Sequence, residues 1–211
     1  MLARFLKFRE KDPLWNHFVN SSPVDSKNDL NPHIQAAPVG AIYPVKTEES
    51  DPATLSRTIK ELGQWLGVDM VGIVALESST TPTRGPSDAG GGAEAEVGEE
   101  ESASDQTPYP FALVCGVLAD YDPEEARGLG GQQALQKGAV VSHYLRAYIR
   151  ELGYRAVFGG ADHLAVAEAA GLGRMDERGR FVTTSKRPYV HISGVIFTDL
   201  PMAADGTLEG Q

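Results

Sequence analysis

One cysteine, Cys115, stands in 211 residues. A single thiol excludes an internal disulfide, a CxxC redox pair and an iron–sulfur cluster held by four of the chain's own thiolates. Long apolar runs are missing as well. No stretch reaches the roughly 18 apolar residues that a membrane-spanning helix needs. Basic residues are outnumbered, 19 Lys and Arg against 29 Asp and Glu, for a formal net charge of −10. That balance argues against a nucleic-acid partner. Much of it is local, because Ser78–Pro108 holds seven acidic residues and one base, Arg84. Met1–Lys11 lacks the apolar run and cleavage site of a signal peptide. Its Leu2, Phe5, Leu6 and Phe8, set among Arg4, Lys7, Arg9 and Lys11, read as a short amphipathic helix docked on its own domain, or else touching a membrane surface or a partner. The expected compartment is the cytoplasm.

Familiar catalytic signatures are absent too. There is no P-loop, HExxH, GxSxG or paired-histidine metal spacing, and Gly128-Leu-Gly-Gly lacks the dinucleotide fingerprint. The histidines, His17, His33, His143, His163 and His191, are scattered, and each reads first as a surface or satisfied core residue.

What is present is an alternation of helix and strand signals. Residues 1–50 form an arm in which Pro13, Pro23, Pro32, Pro38 and Pro44 preclude a long helix. Trp15, Phe18, Ile34, Ile42 and Tyr43 are its candidate anchors to the body. A single domain is expected over 51–203, interrupted at 78–108 by a loop too poor in large apolar side chains to offset the entropy of ordering it. Residues 204–211 are expected to be a tail.

Within the domain, Asp51 is a candidate N-cap before Pro52. Leu55, Ile59, Leu62 and Leu66 then repeat at helical spacing up to Gly67. Strands are predicted at Val68–Leu76 and Phe111–Leu118, the second apolar on both faces, as in a sheet covered on both sides. A long helix follows from about Gln132 to Leu152, then a short strand at Tyr154–Phe158 and a helix at His163–Ala170 capped by Asp162. Strands at Phe181–Thr184 and Tyr189–Thr198 complete an α/β or α+β sandwich around one central sheet.

Four phrases carry more than secondary structure: DPATLSRTIKELGQWLGVDMVGIVAL at Asp51–Leu76, GAVVSHYLRAYIRELGYRAVF at Gly138–Phe158, LAVAEAAGLG at Leu164–Gly173, and VHISGVIFTDLPM at Val190–Met202. In this order they resemble the corrinoid-binding domain of the reductive dehalogenases and of epoxyqueuosine reductase. There the phrases read like IKELAKxLGADLVGI, IRxLGYxA, AEAAGLG and TDLPL. The resemblance covers roughly two thirds of the chain.

It implies a nitroreductase-like fold with a mixed sheet, a cobalamin-type cofactor, and a role as a carrier or as a catalytic part. Its electrons would come from a separate ferredoxin or flavoprotein. It places Tyr154, Gly171, Leu172, Gly173, Arg180 and Thr198 at the cofactor, Tyr144 as a proton donor and Arg178 as the stabiliser of a developing anion. Bare backbone at Gly171-Leu172-Gly173 suits the approach of a large flat ligand. His143 and His163 are candidate cobalt ligands.

The chain also departs from the pattern. After AGLG the family continues like ELGRNGLLIT, whereas Arg174–Thr184 reads RMDERGRFVTT and sets Glu177 where the arginine belongs. After TDLPM the family's cysteine-rich ferredoxin-like segment does not follow within these residues. Two alternatives stay open. One is an FMN-dependent oxidoreductase on the same scaffold, with Arg178, Arg180, Lys186 and Arg187 available to a phosphate. The other is a non-catalytic interaction domain.

Overall fold

Asp51 starts the first long helix as its position requires: its carboxylate accepts a hydrogen bond from the Thr54 amide at 2.9 Å, and Pro52 occupies the first turn. The computed structural model describes residues 12–38, 40–76, 108–122, 125–159, 162–175, 181–183 and 189–206. The expected Met1–Lys11 helix and nearly all of the 78–108 loop lie outside those residues. In chain order the elements are α1 (Pro13–Asn20), α2 (Leu30–Gln35), α3 (Pro52–Leu66), β1 (Met70–Ala75), β2 (Phe111–Ala119), α4 (Gln133–Glu151), β3 (Ala156–Gly159), α5 (His163–Ala169), β4 (Arg174–Met175), β5 (Phe181–Val182), β6 (Tyr189–Ile192) and β7 (Val195–Thr198). Helix α3 ends where predicted, at Gly67, whose φ of +114° is left-handed.

The main sheet runs β1-β2-β7-β3, with β6 pairing β2 beside β7. Every pairing among the described strands is antiparallel, where a mixed sheet was expected. The reason lies in the covering layers. On one face Leu113, Cys115 and Val117 of β2 pack with Leu55 and Ile59 of α3 and Val141, Leu145 and Ile149 of α4. On the other, Val114 meets Ala167 and Ala170 at α5. With both faces buried, β2 loses the polar alternation that ordinarily marks an antiparallel strand, and side-chain pattern does not encode direction. Each large side chain so buried contributes about 1.5–3 kcal/mol.

The single strand expected over Tyr189–Thr198 is two. Leu113 pairs with Ile196 and Gly116 with Ile192. Val114 and Cys115 therefore face three residues, Ser193, Gly194 and Val195, and the strand carries one extra residue, a β-bulge. Ser193 fastens it. Its amide donates to the Cys115 carbonyl at 2.8 Å, its hydroxyl donates to the same oxygen at 3.1 Å, and the Cys115 amide donates back to Ser193 Oγ at 3.3 Å.

The arm lies against the body. The amides of Gly128 and Gly130 donate to the carbonyls of Val19 and Phe18 at 2.7 and 3.0 Å, and a Cβ at Gly128 would sit 2.3 Å from Phe18 O. The Gly-rich stretch is thus where the arm's backbone makes its closest approach. Trp15 Nε1 donates to Tyr121 Oη at 3.1 Å, and the Tyr43 amide donates to Arg150 O at 2.9 Å. At the other end of the chain, Asp205 joins the outer edge of β1. Its amide donates to Ile73 O at 2.8 Å, its carboxylate accepts from Ile73 N at 2.9 Å, and it pairs with Lys60.

Candidate functional site

The bulge opens a cavity. Gly194 is exposed and Ser193 is buried against α4, and beside them lies an open cleft of about 250 Å3. Leu135, Ala139 and Ser142 of α4 form one wall, and Phe158 and Gly159 at the end of β3 another. Asn31 of α2, His163 at the start of α5 and His191 of β6 supply the polar groups. Four separate stretches of chain thus converge on one concavity.

Each polar group has a definite setting. Ser142 Oγ lies 2.9 Å from Ser193 Oγ, and since the Ser193 proton goes to the Cys115 carbonyl, Ser142 is the donor. Burial pushes the neighbouring Cys115 thiol up to about 11, so it stays protonated and unreactive. Burial pushes His191 down to about 4, with the nearby His163 adding to the shift, so His191 is a neutral imidazole at physiological pH. The Asn31 backbone N–H donates to the Asp29 carboxylate at 3.0 Å, and Asn31 Oδ1 is buried without a hydrogen-bond partner among the described residues. Arg146 backs the site: its guanidinium lies 4.1 Å from the centre of the Phe158 ring, and Nη2 donates to Ala37 O at 3.2 Å, which ties the arm to the cavity wall. Among the described lining residues there is no lysine, arginine or carboxylate.

The residues singled out in the sequence are distributed differently. His163 lines the cavity, whereas His143 lies outside the lining against Arg146 and Tyr144, its pKa lowered by burial and then by Arg146. Tyr144 is 56% exposed on α4, also outside the lining. Tyr154 is a core residue with the Lys46 ammonium 4.5 Å from its ring centre. Gly171 turns the chain after α5 with φ of +69°, Leu172 joins the apolar cluster on that face, and Gly173 abuts Phe181. Arg178 and Arg180, like Lys186 and Arg187, lie outside the described residues.

Thr198 is fully buried. Its hydroxyl donates to Arg155 O at 2.7 Å and accepts from Leu200 N at 3.0 Å. Thr198→Val strands the Leu200 amide and leaves Arg155 O only its longer bond from the Asp199 amide, 3.4 Å, and is expected to cost about 1–3 kcal/mol, read as a lower urea midpoint at unchanged slope.

Asn31, Ser142 and Ser193 were not selected from sequence. One signal for them exists, the Ser-Gly pair inside the otherwise apolar HISGVIF run, a composition that marks a bulge. Asn31 had none, since only the folded arm brings it to the cavity.

No protein-family model matches the chain, and no curated protein matches it. Solved structures do. A reductive dehalogenase whose structure suggests a mechanism for B12-dependent dehalogenation superposes with a TM-score of 0.58 at 23% identity, over 85% of this chain and 24% of the other. The catabolic reductive dehalogenase NpRdhA, N-terminally tagged, gives 0.56 at 24% identity, over 83% and 24%. Epoxyqueuosine reductase from Streptococcus thermophilus is more distant, at 0.48 and 16% identity over 74% and 48%. The chain spans about a quarter of the length of the dehalogenases it matches. At these identities the likeness concerns architecture, and the architecture is a reductive dehalogenase-like α/β fold.

Proposed function

We propose that this chain binds a corrinoid of the cobalamin type, on a nitroreductase-like scaffold, as a carrier or as a catalytic part served by a separate ferredoxin or flavoprotein. The observation that carries the reading is the superposition of 85% of the chain on a B12-dependent dehalogenase. The cavity relates to such a group by size and by donor chemistry. At about 250 Å3 it falls below the 300–1,000 Å3 of ordinary small-molecule sites, so it takes an edge of a macrocycle and not the whole. Its lining fits such an edge: apolar side chains of Leu135, Ala139 and Phe158, neutral His191, and the acceptor Asn31 Oδ1 for an amide arm.

Bound there, a corrinoid supplies a cobalt centre that takes and passes on electrons. The chain's own residues have simpler work. Phe158 and Leu135 exclude water from the ring edge, Asn31 and Ser142 orient polar arms, and His191 holds no charge that would oppose a cation. Arg178 is the candidate for stabilising a developing anion, with Arg180 beside it in sequence, and Tyr144 the candidate proton donor. Tyr144's exposure outside the lining favours the carrier role.

The test is to add hydroxocobalamin to the full chain, separate by gel filtration and record the visible spectrum. Co-elution near one corrinoid per chain supports the proposal. A protein that elutes colourless overturns it in favour of an interaction domain, and one that is yellow as isolated overturns it in favour of a flavin.

A further inference from the structure

The cavity is built to hold something more specific than apolar surface. Its walls are hydrocarbon on the α4 and β3 sides, and one buried carbonyl oxygen, Asn31 Oδ1, has no hydrogen-bond partner among the described residues. An unpaired buried acceptor is a standing cost that a ligand donor removes. The Asp29 cap holds the Asn31 backbone N–H at the start of α2, and the floor beneath is fixed by the Ser142–Ser193–Cys115 hydrogen bonds. His191, as a neutral imidazole, keeps one ring N–H to give and one nitrogen to accept. The site thus offers an acceptor, a donor and an apolar wall, and no lysine, arginine or carboxylate among its described lining residues.

We infer that this cavity is a binding site for a neutral primary carboxamide carried on a compact apolar body, its NH2 donating to Asn31 Oδ1 and its carbonyl accepting from His191. A carboxylate satisfies the site less well, because it brings a second acceptor to Asn31 and finds no lysine or arginine in the described lining. A plain hydrocarbon leaves Asn31 unpaired. Size agrees: a cavity of about 150 Å3 takes one benzene ring, and about 250 Å3 leaves room for a substituent. Two sources present this chemistry, a free amide and an amide arm of a corrin. The inference stands on the cavity and does not depend on the corrinoid reading.

The experiment is a calorimetric or NMR titration of the full chain with benzamide, benzoate and toluene, repeated on Asn31→Leu, with circular dichroism as a check of folding. The expected result is saturable benzamide binding, at least about tenfold tighter than benzoate or toluene. In Asn31→Leu benzamide should weaken by about tenfold while toluene holds or gains. Toluene retention shows that the variant still has its cavity, and Asn31→Ala, which removes the acceptor without added bulk, serves as the second variant if Asn31→Leu unfolds. Dicyanocobinamide then separates the sources. If it displaces benzamide, the amide belongs to a corrin arm. If benzamide binds through Asn31 and dicyanocobinamide neither binds nor competes, the ligand is a free amide, and the corrinoid proposal fails while this one stands. Benzamide binding that is absent, or indifferent to both Asn31 variants, overturns the inference.

Discussion

Moving the protein from pH 7 to pH 5 is expected to remove about 2 kcal/mol of stability through His191 alone. In the fold this imidazole is held at about 4 by burial in the wall of the cavity, with His163 adding to the effect. In the unfolded chain it titrates near its ordinary value of about 6.5. Between the two values the unfolded state binds a proton that the native state refuses. The contribution is therefore complete above pH 6.5, declines as the pH falls through the window toward 4, and changes no further below it. Carboxylates take over only below about pH 5, so the upper half of the window belongs to the histidines. Urea unfolding at pH 7 and pH 5, on the natural chain and on His191→Phe, reads the effect. The variant should lose most of the difference between the two pH values. An equal loss in both would place His191 in water and remove it from the cavity wall.

Phe197→Ala is expected to cost about 3–5 kcal/mol, the largest effect of any single truncation considered. The ring is 1% exposed on β7, between Ala112 of β2 and Val157 of β3, and meets Tyr109 edge-on at 6.5 Å. Its cross-strand neighbour on the β2 side is an alanine, too short to collapse into the space vacated, so the full cavity term should appear. Since native domains are stable by only about 5–15 kcal/mol, the variant should be close to unfolded at 37 °C. A measured loss below about 1.5 kcal/mol would mean that this face of the sheet repacks freely, contrary to the packing described.

Helix positions were legible because their signals are local. Asp51 with Pro52 at one end and Gly67 at the other bound α3, and Asp162 caps α5 by accepting from Leu164 and Ala165. Strand direction was not legible, because burial on both faces gives β2 the same uniformly apolar run in either orientation. The bulge was half legible: Ser193-Gly194 breaks the strand pattern, but which partner residues it faces depends on register with β2, a long-range property. The cavity was least legible. His163 was singled out for another reason, as a cobalt ligand. Asn31 reaches the site only because the arm lies along α4, with Arg146 donating to Ala37 O and Arg150 to Gly40 O. Glycines at Gly128 and Gly130, read as a poor nucleotide loop, serve instead to receive the arm's backbone.

The central claim is that this fold holds a corrinoid, and native mass spectrometry of the full chain tests it most directly. The protein is offered equimolar cobalamin and FMN and sprayed under non-denaturing conditions. A single added mass of one cobalamin per chain, surviving mild activation, is the predicted result. The bare chain, or a chain carrying FMN, would contradict it.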